Sequence, residues 1–586
     1  MAEVTNARIA AAFDELADLY ELDGAVSYRV LAYRSAAKAV RESPVSVGQL
    51  AREGRATEIP GIGATLQEKL RALHATGDIP AAQKLRAKYP TGLIEIMHMP
   101  GFGPKRARRI FDELGIDSVE ALKAACEAGE VRKLKGFGTK VEDSLLKYLV
   151  DGMEGRTVPR ILLPRGLAIG EQIADALRGH PAAERVEVAG SVRRQVDAVK
   201  DLDVVATSSD PEALVRTLGE LPLVEEVLAA GPKGARASTH TGMIVDLKVV
   251  APDQFGNAMQ HFTGSKAHNV ALREAAVRRG LHVSEYGILD DATGATLRCA
   301  TEEEVYAALG LEWIPPELRE DRGELEAAAP GGSGLPQLIT PSDLRGDLHC
   351  HTHTSDGRHS MEEMAHAARE RGLEYLAITD HSASHGFGKH VTVEELERQI
   401  DRVRALDARL GDFKLLIGTE VNINPDGSID YPDELLERLD WAVGSIHTAF
   451  GLSEEQMTRR LVAACEHPWV DAIGHPTGRK IEMRAPYALD MEQVIAAAAR
   501  TGTMLEINSA PDRRDLNELH ARAAAQAGVR ILIDSDAHSM ANLELTHYGV
   551  CTARRAWLTP EHVANTRPWA EFAPLRKHAR ASVAQA

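Results

Sequence analysis

Cysteine is scarce: five residues in 586, at Cys126, Cys299, Cys350, Cys465 and Cys551, with no CxxC pair among them. That excludes a disulfide framework and a cysteine zinc finger, and it fits a reducing cytoplasm. Long apolar runs are missing too, and no stretch approaches the ~18 uncharged apolar residues of a membrane span. The first residues, MAEVTNARIAAAFDEL, are charged and amphipathic, so no secretory signal is expected. An excess of positive charge is also lacking, since the net charge is −18. The deficit is unevenly spread. Residues 1–159 carry 23 Lys+Arg against 22 Asp+Glu, and the remainder 45 against 64. A locally basic surface in the first part can therefore still hold nucleic acid. With 44% apolar and 26% charged residues, the chain reads as soluble and globular, and its length suggests about four domains. Histidine is concentrated: 16 of 23 lie in residues 340–586, which points to a metal site there.

Residues 327–341, AAAPGGSGLPQLITP, form an uncharged Ala/Gly/Pro-rich linker that divides the chain. Before it, residues 1–155 show helical apolar spacing (Ile9, Phe13, Leu16, Leu19, Tyr20). From about 158, β-branched runs such as LDVVAT and MIVDLKVV predict an α+β region with an antiparallel or mixed sheet. After the linker, strand-like runs alternate with helices, as in an α/β barrel.

A short pattern recurs three times in the helical part: IPGIGATLQEKL, MPGFGPKRARRI and LKGFGTKVEDSL. Each sets an apolar residue before Gly-apolar-Gly and then a helix: Gly61 and Gly63, Gly101 and Gly103, Gly136 and Gly138. Such a turn presents backbone N–H groups and a helix N-terminus to a DNA phosphate without reading the base. Lys105 follows the second copy. These segments resemble helix-hairpin-helix motifs, which implies sequence-independent DNA binding.

Residues 189–205 read AGSVRRQVDAVKDLDVV. Asp201 and Asp203 are two apart on a predicted strand, so both leave one face. Asp246 lies in a second strand-like run. A lone DxD is often only a solvated strand end, but three carboxylates on adjacent strands suit two-metal phosphoryl transfer with Mg²⁺ or Mn²⁺. Gly190 and Ser191 offer close backbone approach and a hydroxyl, and Arg194 a charged fork for phosphate. This constellation, followed by HFTGSKAHNVALR, is similar to the X family of DNA polymerases. The resemblance covers nearly all of residues 1–325. It implies metal ligation by Asp201, Asp203 and Asp246, and triphosphate contacts from Ser191 and Arg194. Phe262 and Gly264 would meet the nucleotide sugar, and Asn269 and Arg273 the nascent pair. Lys69, after the first hairpin turn, matches the family's Schiff-base lysine for 5′-deoxyribose phosphate. His261, Lys200 and Lys266 stand where vertebrate members have tyrosine, glycine and aspartate.

After the linker, DLHCHTHTSDGRH opens a series of candidate ligands at predicted strand ends: His349, His351, Asp356, His381, Glu420, His447, His475, Asp536 and His538. Nine N and O donors without thiolate suit up to three ions of Zn²⁺, Mn²⁺ or Fe²⁺. Arg479, after His475, is a candidate phosphate contact. The set resembles the PHP (polymerase and histidinol phosphatase) domain over 342–586. That implies one metal at His349, His351, Glu420 and Asp536, a second at Glu420, His447 and His475, and a third at Asp356, His381 and His538. His353, His359, His385 and His390 fall outside the set.

The expected organisation follows from these resemblances: 1–90 lyase-like, 91–157 fingers-like, 158–255 nucleotidyltransferase palm, 256–326 thumb-like, 327–341 linker and 342–586 a distorted TIM-like α/β barrel. The expected function is gap-filling DNA repair synthesis from dNTPs, as in base excision repair, joined to 3′-5′ exonuclease or abasic-site processing. The expected partners are gapped or nicked DNA, with no membrane, for a monomer in the bacterial cytoplasm. The alternatives are a DNA-gap-binding scaffold with one decayed centre, or a small-molecule phosphatase in the barrel.

Overall fold

The structure is a computed structural model that describes residues 4, 6–43, 46–59, 61–99, 102–134, 136–151, 160–384 and 391–579. It divides into two compact units. The first holds residues 1–159, 171–187 and 200–250. The second holds 160–170, 188–199 and 251–586.

The first unit begins with helices built on the expected spacing. Along Asn6–Leu22, the residues Ile9, Phe13, Leu16 and Leu19 are buried, and Tyr20 is partly buried against the same core. Helices Ala64–Thr76, Gly103–Leu114 and Thr139–Asp151 follow the three glycine turns. The palm sheet in this unit is mixed. Asp201–Ser208 pairs in parallel with Ile244–Val250, which pairs antiparallel with Gly234–Thr239, and that strand with Val224–Gly231.

The second unit contains a seven-stranded parallel barrel. Its strands are Gly346–Cys350, Tyr375–Ile378, Lys414–Asn422, Trp441–Ser445, Ala472–Ile473, Met504–Asn508 and Ile531–Asp534. A parallel bridge from Cys350 to Ala537 links the first strand to the end of the last. Strands covered on both faces read as continuous apolar runs, and nearly every barrel strand residue is buried. The barrel helices start on side-chain caps: Ser360, Thr392, Ser453, Asp490 and Asn517 each accept a backbone N–H of the following turn. A cap of this kind is worth about 1 kcal/mol and fixes where each strand-to-helix loop ends.

Residues 327–341 are not a free tether. Ile339 is fully buried in the barrel core, and Leu338 is 8% exposed in the core of the preceding thumb segment. The Ile339 N–H donates to the Leu558 carbonyl at 3.0 Å, and its carbonyl accepts from Arg554 at 3.0 Å.

Candidate functional site

The palm carboxylates in the first unit stand on two neighbouring strands. Leu202 and Val204 point into the core, so Asp201 and Asp203 share the opposite face. On the parallel partner, Asp246 is in register with Asp203. All three carboxylates therefore leave one face and are only partly buried. Arg236 Nε lies 3.9 Å from Asp246. Oxygen donors of this kind suit a hard divalent cation.

The turn carrying Ser191 and Arg194 belongs to the second unit. Gly190 opens the short helix Gly190–Arg193 at a φ of 66°. Arg193 serves the fold. It makes a bidentate pair with Glu302 at 2.6 and 3.0 Å, and Arg319 bonds the same carboxylate at 2.6 Å. Burial pushes the Glu302 carboxyl up, but Arg319 and Arg193 override it and hold the pKa at about 2. Arg194 donates to Glu320 at 3.1 Å and to the Thr263 carbonyl at 2.5 Å. Gly264 stands at a φ of 69°, a conformation that favours glycine, and a Cβ there would lie 3.1 Å from Arg194 Nη1. The other expected nucleotide contacts adjoin one another. Arg273 donates to His261 Nδ1 at 2.9 Å, and Asn269 donates to the His261 carbonyl at 2.8 Å. The His261 and Phe262 rings meet edge-on at 4.8 Å.

Among the described residues, nothing packs against two glycines of the hairpin turns. Gly63 and Gly138 have ordinary φ, and a Cβ at either would meet nothing within 4 Å. Gly61, Gly103 and Gly136 have φ of 92°, 69° and 88°, which demand glycine for backbone reasons. Gly101 lies outside the described residues. Lys105 is exposed. Arg132 is paired with Glu142, and Lys133 with Glu130 at 2.6 Å. Lys69 is partly buried on Ala64–Thr76, with Nζ 6.0 Å from the centre of the Tyr33 ring.

The nine barrel residues meet at the C-terminal ends of the strands. Glu420 is the hub, 1% exposed. Its Oε1 lies 3.3 Å from His349 Nε2, 3.2 Å from His447 Nε2 and 3.0 Å from His475 Nε2. Its Oε2 is 2.7 Å from His381 Nδ1. Asp536 approaches His351 Nε2 at 3.2 Å, and Asp356 lies 3.3 Å from His538 and 3.6 Å from His381. Among the described residues, three groups have donor atoms within 4.8 Å of one another: His351, Asp356, His381 and His538; His349, His351 and Asp536; and His381, Glu420 and His447. The palm trio is not among these groups. Relative to the sets implied by resemblance, His351 also joins the Asp356 group, and His381 also joins Glu420.

The cluster fits metal ions. His349 Nε2 and both ring nitrogens of His351 are buried with no hydrogen-bond partner. Each such atom costs about 1–3 kcal/mol, a cost that ligation removes. Divalent ions held there would polarise a phosphate ester and acidify a water molecule.

Several supporting residues escaped the sequence reading. Glu506, on the sixth strand, accepts from His349 Nδ1 at 2.7 Å and from the His475 backbone N–H at 2.5 Å. It thus turns His349 Nε2 toward Glu420. Asp380 accepts from the Thr352 N–H and hydroxyl, Ser355 and Gln399 at 2.5–2.7 Å, so it fixes the loop that delivers Asp356. Arg513 Nε lies 3.6 Å from Asp536. The available signal was a carboxylate inside an apolar strand run, as in MLEINS. Arg479, by contrast, pairs with Asp197 at 2.8 Å. His353 is exposed and His359 Nδ1 accepts the Met540 N–H, while His385 and His390 lie outside the described residues.

Family models match four stretches of the chain. Residues 4–79 match the helix-hairpin-helix domain, and 93–151 the SAM-like helix-hairpin-helix tandem. Residues 258–320 match the DNA polymerase beta thumb, and 347–510 the PHP domain. The chain is 36% identical over 556 residues to the DNA polymerase/3′-5′ exonuclease PolX of Bacillus subtilis (strain 168), covering 94% of this chain and 96% of that protein. A probable phosphatase of Thermoanaerobacter sp. (strain X514) is 31% identical over 232 residues, 37% of this chain and 90% of the phosphatase. One from Caldanaerobacter subterraneus subsp. tengcongensis is 34% identical over 208 residues, 33% of this chain and 77% of its own length. The chain belongs to the PolX family of X-type DNA polymerases that carry a PHP domain.

Proposed function

We propose that this chain fills short gaps in DNA by template-directed dNTP addition and trims 3′ ends, or processes abasic sites, in its barrel. The observation that carries this reading is the presence in one chain of two unlike clusters of carboxylates and imidazoles. Asp203 and Asp246 stand in register beside Asp201; eight of the nine barrel candidates fall in three overlapping donor groups, and the ninth, His475, lies 3.0 Å from Glu420. Asp201, Asp203 and Asp246 would hold Mg²⁺ or Mn²⁺. Ser191, Gly190 and Arg194 would take the triphosphate, with Phe262, Gly264, Asn269 and Arg273 around the sugar and base. The barrel residues His349, His351, Asp356, His381, Glu420, His447, His475, Asp536 and His538 would hold two to three ions of Mn²⁺, Zn²⁺ or Fe²⁺. The glycine turns and Lys105 would grip the DNA backbone at gaps and nicks. We place the activity in the bacterial cytoplasm, in a monomer; among the described residues no helix is long and apolar enough to cross a membrane.

The test is incubation with one-nucleotide-gapped DNA, dNTPs and Mn²⁺ or Mg²⁺, scoring extension and 3′ degradation together. Absence of both would overturn the reading. Lys69 is proposed as the Schiff-base lysine. Borohydride trapping on an incised abasic substrate should give a covalent adduct; its absence would leave Lys69 a phosphate contact. A second reading, a small-molecule phosphatase in the barrel, is favoured by the probable phosphatases that match that half. Faster turnover of a simple phosphate monoester than of gapped DNA would support it.

A further inference from the structure

The turn after Ser191 is held by arginines of the barrel. Within the second unit, Asp197 receives Arg479 at 2.8 Å and Arg514 at 3.2 Å. The Arg514 guanidinium also donates to the Gln195 carbonyl at 3.0 Å, and Arg555 to the Arg194 carbonyl at 2.9 Å. Arg555 bonds Glu320 at 2.9 Å, the same carboxylate oxygen that Arg194 reaches at 3.1 Å. Gln195 itself sits at a φ of 57°, a strained conformation for a residue with a Cβ.

These arginines are not surface decoration. Arg514, Arg555 and Arg479 side chains are 0%, 5% and 13% exposed. A guanidinium withdrawn from water needs fixed acceptors. Here two of those acceptors are backbone carbonyls of the turn itself. Arg479 comes four residues after His475, and Arg514 lies in the loop after the Glu506 strand. Arg479 therefore rides on the loop that carries His475, and Arg514 is next to Arg513, whose Nε lies 3.6 Å from Asp536.

We propose that Arg479, Arg514 and Arg555 are positioning residues for nucleotide binding: the barrel sets where Ser191 and Arg194 stand. This rests on the reading above that Ser191 and Arg194 take the triphosphate. A triphosphate contact works only when its donors are held in place before the substrate arrives. Freeing the turn should therefore weaken dNTP binding more than it slows the chemical step.

The experiment uses the full chain on one-nucleotide-gapped DNA with varied dNTP, and compares Arg194→Ala, Asp197→Asn, Arg479→Ala and Arg479→Lys. Arg194→Ala should raise the KM for dNTP. Asp197→Asn and Arg479→Ala should also raise it, by about fivefold or more, the usual size of coupling between sites, with kcat little changed. Arg479→Lys should recover part of the loss. Asp197→Asn approaches the contact from the other side and should keep the barrel's metal content, which separates lost positioning from misfolding. If Arg194→Ala raises KM while Asp197→Asn and Arg479→Ala leave it unchanged, the positioning role is wrong and the triphosphate reading stands. If Arg194→Ala itself leaves KM unchanged, both fall.

Discussion

In the palm, three partly exposed carboxylates share one sheet face and belong to none of the donor groups found among the described residues. In the barrel, nine donors from six strand ends cluster, and four histidines lie within 3.3 Å of the Glu420 side chain. Holding a metal, the first arrangement would leave most of the shell to substrate and water, whereas the second would draw more of it from largely buried side chains. The difference has consequences for what each loses on mutation.

The sharpest break is expected in the palm. Asp203→Ala removes one of few protein ligands, so primer extension should fall by several orders of magnitude while 3′ degradation persists. A time course on gapped DNA measures both, and near-normal extension would sink the palm assignment. Next is the hub of the barrel. Glu420→Ala should abolish 3′ degradation and lower metal content by elemental analysis, more severely than His349→Ala, because Glu420 touches four histidines. Both variants should still extend a primer, with cleaner products. Degradation surviving in metal-depleted Glu420→Ala protein would place the nuclease elsewhere.

A smaller effect should come from Glu506→Gln. It keeps the shape but weakens the bond that orients His349, so metal affinity should drop about 10–100-fold, as for other outer partners of metal-bound histidine. Metal titration followed by dialysis reads this directly. Unchanged affinity would mean that His349 is oriented by its neighbours alone. The smallest change is expected at the glycine turns. Threonine caps helices well, and Gly63 and Gly138 have open space around them. Gly63→Thr and Gly138→Thr should therefore leave thermal stability alone and weaken gapped-DNA binding by crowding the phosphate. A fall in Tm with DNA affinity intact would show that these glycines serve the fold.

Much of this was legible in the sequence because the chemistry is carried by local patterns. Alternation in DLDVVATS put Asp201 and Asp203 on one face, and His349 and His351 flanked Cys350 in the same way. The repeated Gly-apolar-Gly announced the hairpins. What stayed hidden depends on tertiary contacts. Nothing in KDLDVV shows that Asp246 stands beside Asp203 rather than Asp201; that is a matter of strand register. Glu506 and Asp380 read as ordinary acidic residues until the barrel brings His349 and the Thr352–Asp356 loop against them. Arg479 had the spacing of a phosphate contact, but its partner, Asp197, lies more than 280 residues earlier. The Ala/Gly/Pro composition of 327–341 suggested slack, and composition cannot report that Leu338 and Ile339 find buried seats.

Those two adjacent side chains enter different cores, Leu338 that of the thumb and Ile339 that of the barrel. The covalent boundary between these two cores thus falls at a single peptide bond. A protease or a protein engineer cutting in this stretch would strand an apolar side chain on one fragment or the other, each worth about 1.5–3 kcal/mol when buried. A barrel fragment should start upstream of Ile339 to be whole, and inserting residues between Leu338 and Ile339 should unseat one of these side chains rather than lengthen a leash.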